Sequence, residues 1–217
     1  MQKKRLIIFD LDGTLINTVK DLNIAVNYGL SQYNYPLRSI EQTTADIGNG
    51  VAKLIERSIP NGLDNPNYSE CLATFKTYYK AHYFENSFPY KNVKETLIKL
   101  KETGYLLAVV SNKFDEGAKK LINFYLPNIF DRIQGSVPEL RYKPANDLVN
   151  KVLNELEVST AETLYIGDTN VDYETATNAN LDCVLVSYGY RSESYLKEHT
   201  KNSPIISNLG ELLVLLK

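Results

Sequence analysis

Short uninterrupted apolar runs alternate with amphipathic helical patterns along most of this 217-residue chain. The first run covers residues 6–9, and four consecutive apolar residues predict a strand that is covered on both faces of a parallel sheet. Further runs predict strands over residues 105–110, 132–135, 163–167, 183–187 and, at an edge, 204–207. Helical patterns lie over residues 93–100, 118–125 and 147–156, in a short stretch up to about 178, and from 208 onward. Strands and helices alternating at this spacing predict an α/β fold with a doubly wound parallel sheet.

A block of helical pattern without an evident strand follows the first strand. Apolar residues from Val19 to Leu30 recur every three or four positions, which predicts an amphipathic helix. Ser39 with Gln42 makes a capping box for the next helix. We therefore predict two domains, a sheet core of residues 1–15 and 88–217 and an inserted helical domain of residues 16–87.

Composition narrows the class of protein without naming a function. Hydrophobic residues make up 43% and charged residues 23% of the chain, as in ordinary globular proteins. The net charge of -2 gives no basic surface for nucleic acid, and no apolar stretch approaches the length of a membrane span. Cys71 and Cys183 lie far apart and predict small core residues in a reducing compartment. We expect a cytoplasmic protein with neither nucleic acid nor membrane as a partner.

Two carboxylates come directly after the first strand. The period of two points Asp10 and Asp12 to the same side, and Gly13 lets the chain leave the strand sharply. Because two neighbouring negative charges are costly, the pair needs a cation, a shared proton, or both. The alternative is an ordinary turn, in which Asp and Gly are common.

Polar groups also end two other predicted strands and occupy one loop between them: Ser111-Asn112, Asp168 with Asp172, and Lys143 before Pro144. Each has a plain alternative as a turn, a helix cap or a solvated lysine, and Pro144 suits the first turn of a helix. In a parallel sheet, however, all of them fall on the edge where ligands bind.

This ordered set resembles the haloacid dehalogenase superfamily. Its motifs match Asp10-Leu11-Asp12-Gly13-Thr14, Ser111-Asn112, Lys143-Pro144, and Gly167-Asp168 with Asp172. The resemblance implies a Rossmann-like core that carries a helical cap domain of the first type.

The resemblance also implies phosphoryl transfer. The dehalogenases of the superfamily as a rule lack the second carboxylate of the first motif, and this chain has it as Asp12. Asp10 is then the nucleophile that forms an aspartyl phosphate, and Asp12 is the general acid and base. Mg²⁺ is expected on Asp10, on the backbone carbonyl of Asp12 and on Asp168. The remaining implied residues are Ser111, the Asn112 backbone and Lys143 for the phosphoryl oxygens, with Thr14 and Asp172 in support.

The helical block is similar to the caps of phosphoglycolate phosphatases. The candidate substrate contacts are Gly48, Asn49, Gly50, Lys53 and Arg57. The glycines equally suit helix punctuation, and the two cations a solvated face. Two departures, Asn17 and the absence of a second proline after Pro144, loosen the assignment of phosphoglycolate.

Several functions therefore stay open. A small phosphate ester such as phosphoglycolate is the favoured substrate, for a monomer or homodimer. Alternatives are a β-phosphoglucomutase-like transferase, a pyrophosphatase or nucleotidase, and a catalytically silent module that binds a metabolite. Such a module is expected to lack the nucleophile or a metal ligand, and Asp10 and Asp168 are both present.

Overall fold

The computed structural model describes residues 4–201 and 203–216 and divides the chain into two compact units. The sheet unit runs up to Ile16 and resumes at Pro89, and the helical unit spans Asn17–Phe88. The strands of the whole chain are β1 Leu6–Phe9, β2 Ile16–Asn17, β3 Phe88–Pro89, β4 Leu106–Phe114, β5 Arg132–Ser136, β6 Thr163–Gly167, β7 Asp182–Val186 and β8 Ile205–Ile206. The α-helices of the whole chain are α1 Val19–Ser31, α2 Ile40–Asp46, α3 Val51–Ser58, α4 Tyr68–His82, α5 Val93–Glu102, α6 Asp115–Tyr125, α7 Asp147–Leu156, α8 Asn170–Asn178, α9 Glu193–His199 and α10 Leu212–Leu215.

The main sheet has six parallel strands in the order β5-β4-β1-β6-β7-β8, which confirms the predicted α/β class. Leu6 and Ile8 of β1 pack with residues of α7 and α8, whereas α5 and α6 pack against β4. Side chains of a strand alternate between faces, so all four residues of β1 are buried under helices on both sides. The uninterrupted apolar sequence of β1 thus fits its place between β4 and β6 inside the sheet.

Register places the end of β1 beside the carboxyl-terminal parts of β4 and β6. Phe9, the last residue of β1, lies opposite Val109 of β4 and Ile166 of β6. The residues that follow these positions therefore emerge together at the carboxyl edge of the sheet, beside the end of the central strand.

The helical unit is closed by one buried carboxylate. Asp21, in the first turn of α1, accepts hydrogen bonds from the backbone N of Asn86 (2.9 Å), from Asn86 Nδ2 (2.9 Å) and from Ser87 Oγ (2.6 Å). The carboxylate is 4% exposed. It therefore joins the beginning and the end of this unit.

The structure corrects several details of the sequence reading. Strand β4 continues to Phe114, which pairs with Ser136 of β5, so the strand includes the polar residues expected to follow it. Pro144 lies before α7 and not in its first turn, which begins at Asp147. A two-residue strand, β2, opens the block where no strand was evident, and α9 was not anticipated.

Throughout residues 4–201 and 203–216, every helix falls short of the length and apolar content needed to cross a membrane.

Candidate active site

Three buried carboxylates meet at the carboxyl edge of the sheet. Asp10 follows β1 and donates its backbone N–H to the carbonyl of Ile166, while Asp168 follows β6 directly. Asp172 comes from the first turn of α8. One carboxylate oxygen from each of these aspartates lies within 4.8 Å of the other two.

Lys143 lies between two of these carboxylates. Its Nζ donates to Asp10 Oδ1 and to Asp172 Oδ1, both at 2.7 Å, and to the hydroxyl of Tyr165 at 3.1 Å. The lysine is 4% exposed, so it is not the solvated surface lysine of the plain alternative. A desolvated ammonium is stable only when it is paired in this way.

Asn112 fixes the loop that carries this lysine. Its Oδ1 accepts from the backbone N of Lys143 at 2.7 Å, and its Nδ2 donates to the backbone O of Lys143 at 3.1 Å. Ser111, 2% exposed, accepts at Oγ from the backbone N of Lys113. Of the three residues predicted to bind phosphate, Asn112 and Lys143 are thus hydrogen-bonded to each other, and Ser111 is hydrogen-bonded within β4.

Asp168 is held from two sides. Thr14 Oγ1 donates to its Oδ1 at 2.9 Å, and the backbone N of Tyr190 donates to its Oδ2 at 2.7 Å. Gly13 and Gly189 leave room for this carboxylate, since a Cβ on either would lie 2.3 or 2.5 Å from Oδ2. The adjoining helix cap is Thr169, so Asp168 does not serve as the cap.

Asp172 is occupied by donors from the chain itself. Its Oδ2 accepts from Thr169 Oγ1 (2.8 Å) and from the backbone N atoms of Thr169 (3.0 Å) and Asp168 (3.2 Å). Its Oδ1 is the partner of Lys143. Although proximity groups Asp172 with Asp10 and Asp168, these contacts favour Asp172 as a support for Lys143 and for the turn that carries Asp168.

Asp12 has its own buried lysine. Lys113 Nζ donates to Asp12 Oδ1 at 3.0 Å, and the lysine side chain is 2% exposed. The sequence pattern predicts no role for Lys113, because a lysine at the end of a strand is usually exposed to solvent. Its spacing of two from Ser111 was the available signal, since residues two apart in a regular strand share a face.

Burial sets the electrostatics of the cluster. Desolvation raises the pKa of Asp10 from its ordinary 3.8 to about 7; Lys143 opposes the rise, and the charges of Asp172 and Asp12 add to it. Burial, with the charges of Asp172 and Asp10, also holds the pKa of Asp168 well above its ordinary value. Burial lowers the pKa of Lys143, but Asp10 and Asp172 outweigh it and leave the pKa well above the ordinary value. A further cation would favour the ionised form of both Asp10 and Asp168.

Tyrosines surround these charges, which gives part of the tyrosine-rich composition a location. The hydroxyl of Tyr188 donates to the backbone O of Thr14 at 2.9 Å, and its ring centroid lies 4.9 Å from that of Tyr90. Burial and then the charges of Asp168 and Asp12 raise the pKa of Tyr90. Sequence reasoning missed these residues because single aromatic positions look like ordinary core.

The candidates in the helical unit form a braced turn. Gly48 and Gly50 have φ of 135° and 82°, values that favour glycine. Arg57 donates to the backbone O of Asp46 at 2.7 Å and to Asn49 Oδ1 at 3.0 Å. Lys53 forms an ion pair with Glu56 on the same helix. Arg57 therefore stabilises the turn, whereas Lys53 lies on a half-exposed face.

Fold and site together define the class of the protein. The family model of the haloacid dehalogenase-like hydrolases matches residues 7–186, and the chain belongs to that family. This confirms the resemblance derived from the motifs and identifies the protein as a hydrolase.

Its relatives are phosphatases. The phosphoglycolate phosphatase of Aquifex aeolicus (strain VF5) is 34% identical, with 96% of each chain covered. That of Pseudomonas syringae pv. tomato is 31% identical, over 96% of this chain and 78% of the relative. The crystal structure of a predicted phosphoglycolate phosphatase from Haemophilus somnus 129pt superposes with a TM-score of 0.90 at 29% identity and covers 100% of both chains. The protein is thus similar to phosphoglycolate phosphatases over nearly its whole length.

Proposed function

We propose that this hydrolase is a Mg²⁺-dependent phosphatase that cleaves a small phosphate monoester through a phosphorylated Asp10. The observation that carries the proposal is the buried Asp10 carboxylate at the end of the central strand, 2.7 Å from the Lys143 ammonium and clustered with Asp168. A carboxylate beside a fixed cation is suited to attack a phosphorus atom whose oxygens that cation can bind.

The donor set fits a hard divalent cation. Asp10, Asp168 and the backbone carbonyl of Asp12 would supply oxygen ligands, and the pKa values of both buried carboxylates are raised by burial and then by neighbouring negative charges. When bound, the ion would neutralise this charge and polarise the phosphoryl group. Asp172 would keep Lys143 and the Asp168 turn in place from behind.

The reaction proceeds in two displacement steps at phosphorus, in which each residue has its own role. In the first, an Asp10 oxygen forms a bond to phosphorus as the ester P–O bond breaks, and Asp12 gives its proton to the leaving oxygen. In the second, water attacks phosphorus, gives a proton to Asp12 and releases Asp10 with inorganic phosphate. Ser111, the Asn112 N–H and Lys143 would bind the phosphoryl oxygens in both steps.

Phosphoglycolate is the favoured substrate. The relatives carry that activity in their names, and the turn at Gly48–Gly50 precedes the amide groups that open α3, where an anion is favoured. The substrate would be recognised by its carboxylate in addition to its phosphate. Asn49 and Arg57 are proposed to shape the turn for that contact.

A substrate panel tests the proposal. Phosphate release is measured with Mg²⁺ for 2-phosphoglycolate, β-glucose 1-phosphate, pyrophosphate, a nucleoside monophosphate and p-nitrophenyl phosphate. We expect preferential release from 2-phosphoglycolate, loss of activity on chelation, and a loss of at least about a thousandfold in Asp10→Asn. Asp64→Asn, which changes an exposed carboxylate of the helical unit, is the matched control.

The alternatives give different results in the same panel. A mutase would convert β-glucose 1-phosphate into an isomer without releasing phosphate. A binding module would shift in thermal stability with one compound and hydrolyse none, and that result would contradict the proposal.

A further inference from the structure

Lys113 is a buried lysine that the proposed displacement steps leave without a role. It occupies the penultimate position of β4, and its side chain is 2% exposed although it carries an ammonium. Its Nζ lies 3.0 Å from Oδ1 of Asp12, whose side chain is 16% exposed. Burial of a lysine to this extent is unfavourable without a charge partner, so this contact differs from the ion pairs on the surface.

The extended form of β4 delivers Lys113 to the site. The strand continues through a register shift to Phe114, and Ser111 and Lys113, which lie in this segment, are both buried. Two buried lysines thus contact three carboxylates: Lys143 contacts Asp10 and Asp172, and Lys113 contacts Asp12. The proposed nucleophile and the proposed acid and base each have their own ammonium.

We infer that Lys113 is a positioning residue for Asp12, which aims its carboxyl group for proton transfer to the leaving oxygen. The inference rests on the proposed function. An ammonium donates hydrogen bonds and accepts none, so it selects Oδ1 as the oxygen without the proton. The transferred proton is therefore carried by Oδ2, and rotation of the carboxyl group is restricted.

Lys113 loses and gains no proton in either step. As the Asp10–phosphorus bond forms and the ester bond breaks, the proton passes from Asp12 Oδ2 to the leaving oxygen. In the second step water gives a proton back to Asp12 while the Asp10–phosphorus bond breaks. The ammonium keeps the carboxyl orientation through both steps.

Leaving groups of different basicity test this role. An alkoxide leaving group, as in 2-phosphoglycolate, requires protonation, whereas p-nitrophenolate leaves with little help from an acid. The value of kcat/KM reports only the steps up to the departure of the leaving group, so the later hydrolysis of phosphorylated Asp10 does not enter it. The ratio of kcat/KM for the two substrates thus measures how well Asp12 acts as an acid.

Lys113→Met should lower kcat/KM for 2-phosphoglycolate by roughly 100-fold, within the range of general acid catalysis, and for p-nitrophenyl phosphate by less than about threefold. Lys113→Arg should restore most of the ratio. Lys119→Met, which breaks an ion pair to Asp115 on the surface of α6, should leave the ratio unchanged. In an Asp12→Asn background, Lys113→Met should lower kcat/KM by the same factor for both substrates.

Equal losses for the two substrates in Lys113→Met would overturn the inference, because a general disturbance of the site does not distinguish leaving groups. If the methionine variant does not fold, the same ratio of kcat/KM values can be measured for Lys113→Gln, which retains a hydrogen-bond donor without the charge. A wild-type protein that hydrolyses neither substrate would instead reject the proposed function, so the two failures are distinguishable.

Discussion

The side chain of Asn112 is hydrogen-bonded to both backbone polar groups of Lys143. Its Oδ1 accepts from the lysine N at 2.7 Å, and its Nδ2 donates to the lysine O at 3.1 Å. Strand β4 therefore fixes the main chain of a loop far away in sequence, while Asp10 and Asp172 fix the ammonium at the other end of the same residue. Lys143 is held at both ends before any phosphate arrives.

Asn112→Ala is expected to release the loop that carries Lys143. The loss of two partly buried hydrogen bonds should lower the free energy of unfolding by about 1–3 kcal/mol and weaken competitive inhibition by inorganic phosphate roughly tenfold. Denaturant unfolding and inhibition kinetics measure the two effects. Asn146→Ala removes an exposed bond to the Asn178 carbonyl and should change neither quantity by a comparable amount.

Tyr165→Phe removes the hydroxyl that accepts from Lys143 at 3.1 Å and keeps the buried ring. We expect inhibition by phosphate to weaken several-fold at unchanged Mg²⁺ activation, because the metal ligands proposed here do not contact this hydroxyl. The cost in stability should be about 1 kcal/mol. Tyr105→Phe, which removes a hydroxyl bonded to the Leu216 carbonyl, is the control. An equal effect of both variants on phosphate inhibition would argue against the positioning of Lys143 by Tyr165.

Acidification should weaken Mg²⁺ binding below about pH 7. Burial raises the pKa of Asp10 to about 7 in the metal-free protein, so below that pH the ion must displace a proton. Each displaced proton weakens the apparent affinity about tenfold per pH unit. Calorimetric titration in buffers of different ionisation enthalpy counts the protons released. Asp10→Asn should release fewer of them.

The same raised pKa gives a sign for stability without metal. Between pH 3.8, the ordinary pKa of an aspartate, and about 7, folded Asp10 retains a proton that the unfolded chain has lost. The contribution of Asp10 to the free energy of unfolding should therefore fall as the pH rises through this window. Unfolding measured with a chelator should show the fall, and saturating Mg²⁺ should reduce it. A flat difference between wild type and Asp10→Asn across the window would contradict it.

Gly189→Ala should disturb Asp168 and leave most of the fold intact. The new Cβ would lie 2.4 Å from Asp168 Cβ and 2.5 Å from the Gly13 carbonyl, too close for either to stay. We expect the Mg²⁺ concentration for half activation to rise at least about tenfold, as for other displaced ligands. Gly104→Ala meets no atom within 4 Å but has a φ of 91°, so it should lower stability without changing Mg²⁺ activation.

The predictable part of the site follows from strand ends. Asp10, Ser111 and Asp168 could be grouped from sequence because parallel strands deliver their carboxyl ends to one edge, whatever the helices between them do. Lys143 required the family motif, since a lysine in a loop has no periodicity to place it. Its position became evident only from the two carboxylates that flank it.

The missed part depends on contacts between distant segments. Lys113 was hidden because the length of β4 is set by its pairing with Ser136, which no local pattern encodes. Tyr190 holds Asp168 through its backbone N–H, a donor that every residue except proline has. The identity of the Tyr190 side chain therefore gave no signal. The raised pKa of Asp10 likewise depends on burial by the folded chain as a whole.

Asp21 gives the helical unit an independence that its place in the sequence conceals. By binding Asn86 and Ser87, this carboxylate joins the first helix of the unit to the segment that leads out of the unit after α4. The hydrogen bonds of Asp21 thus offset part of the entropic cost of closing this long inserted segment, and they lie within the segment itself. The sheet unit needs to supply only two neighbouring attachment points. A helical unit of different length could therefore replace this one between Ile16 and Pro89 without altering the strands that carry the carboxylates.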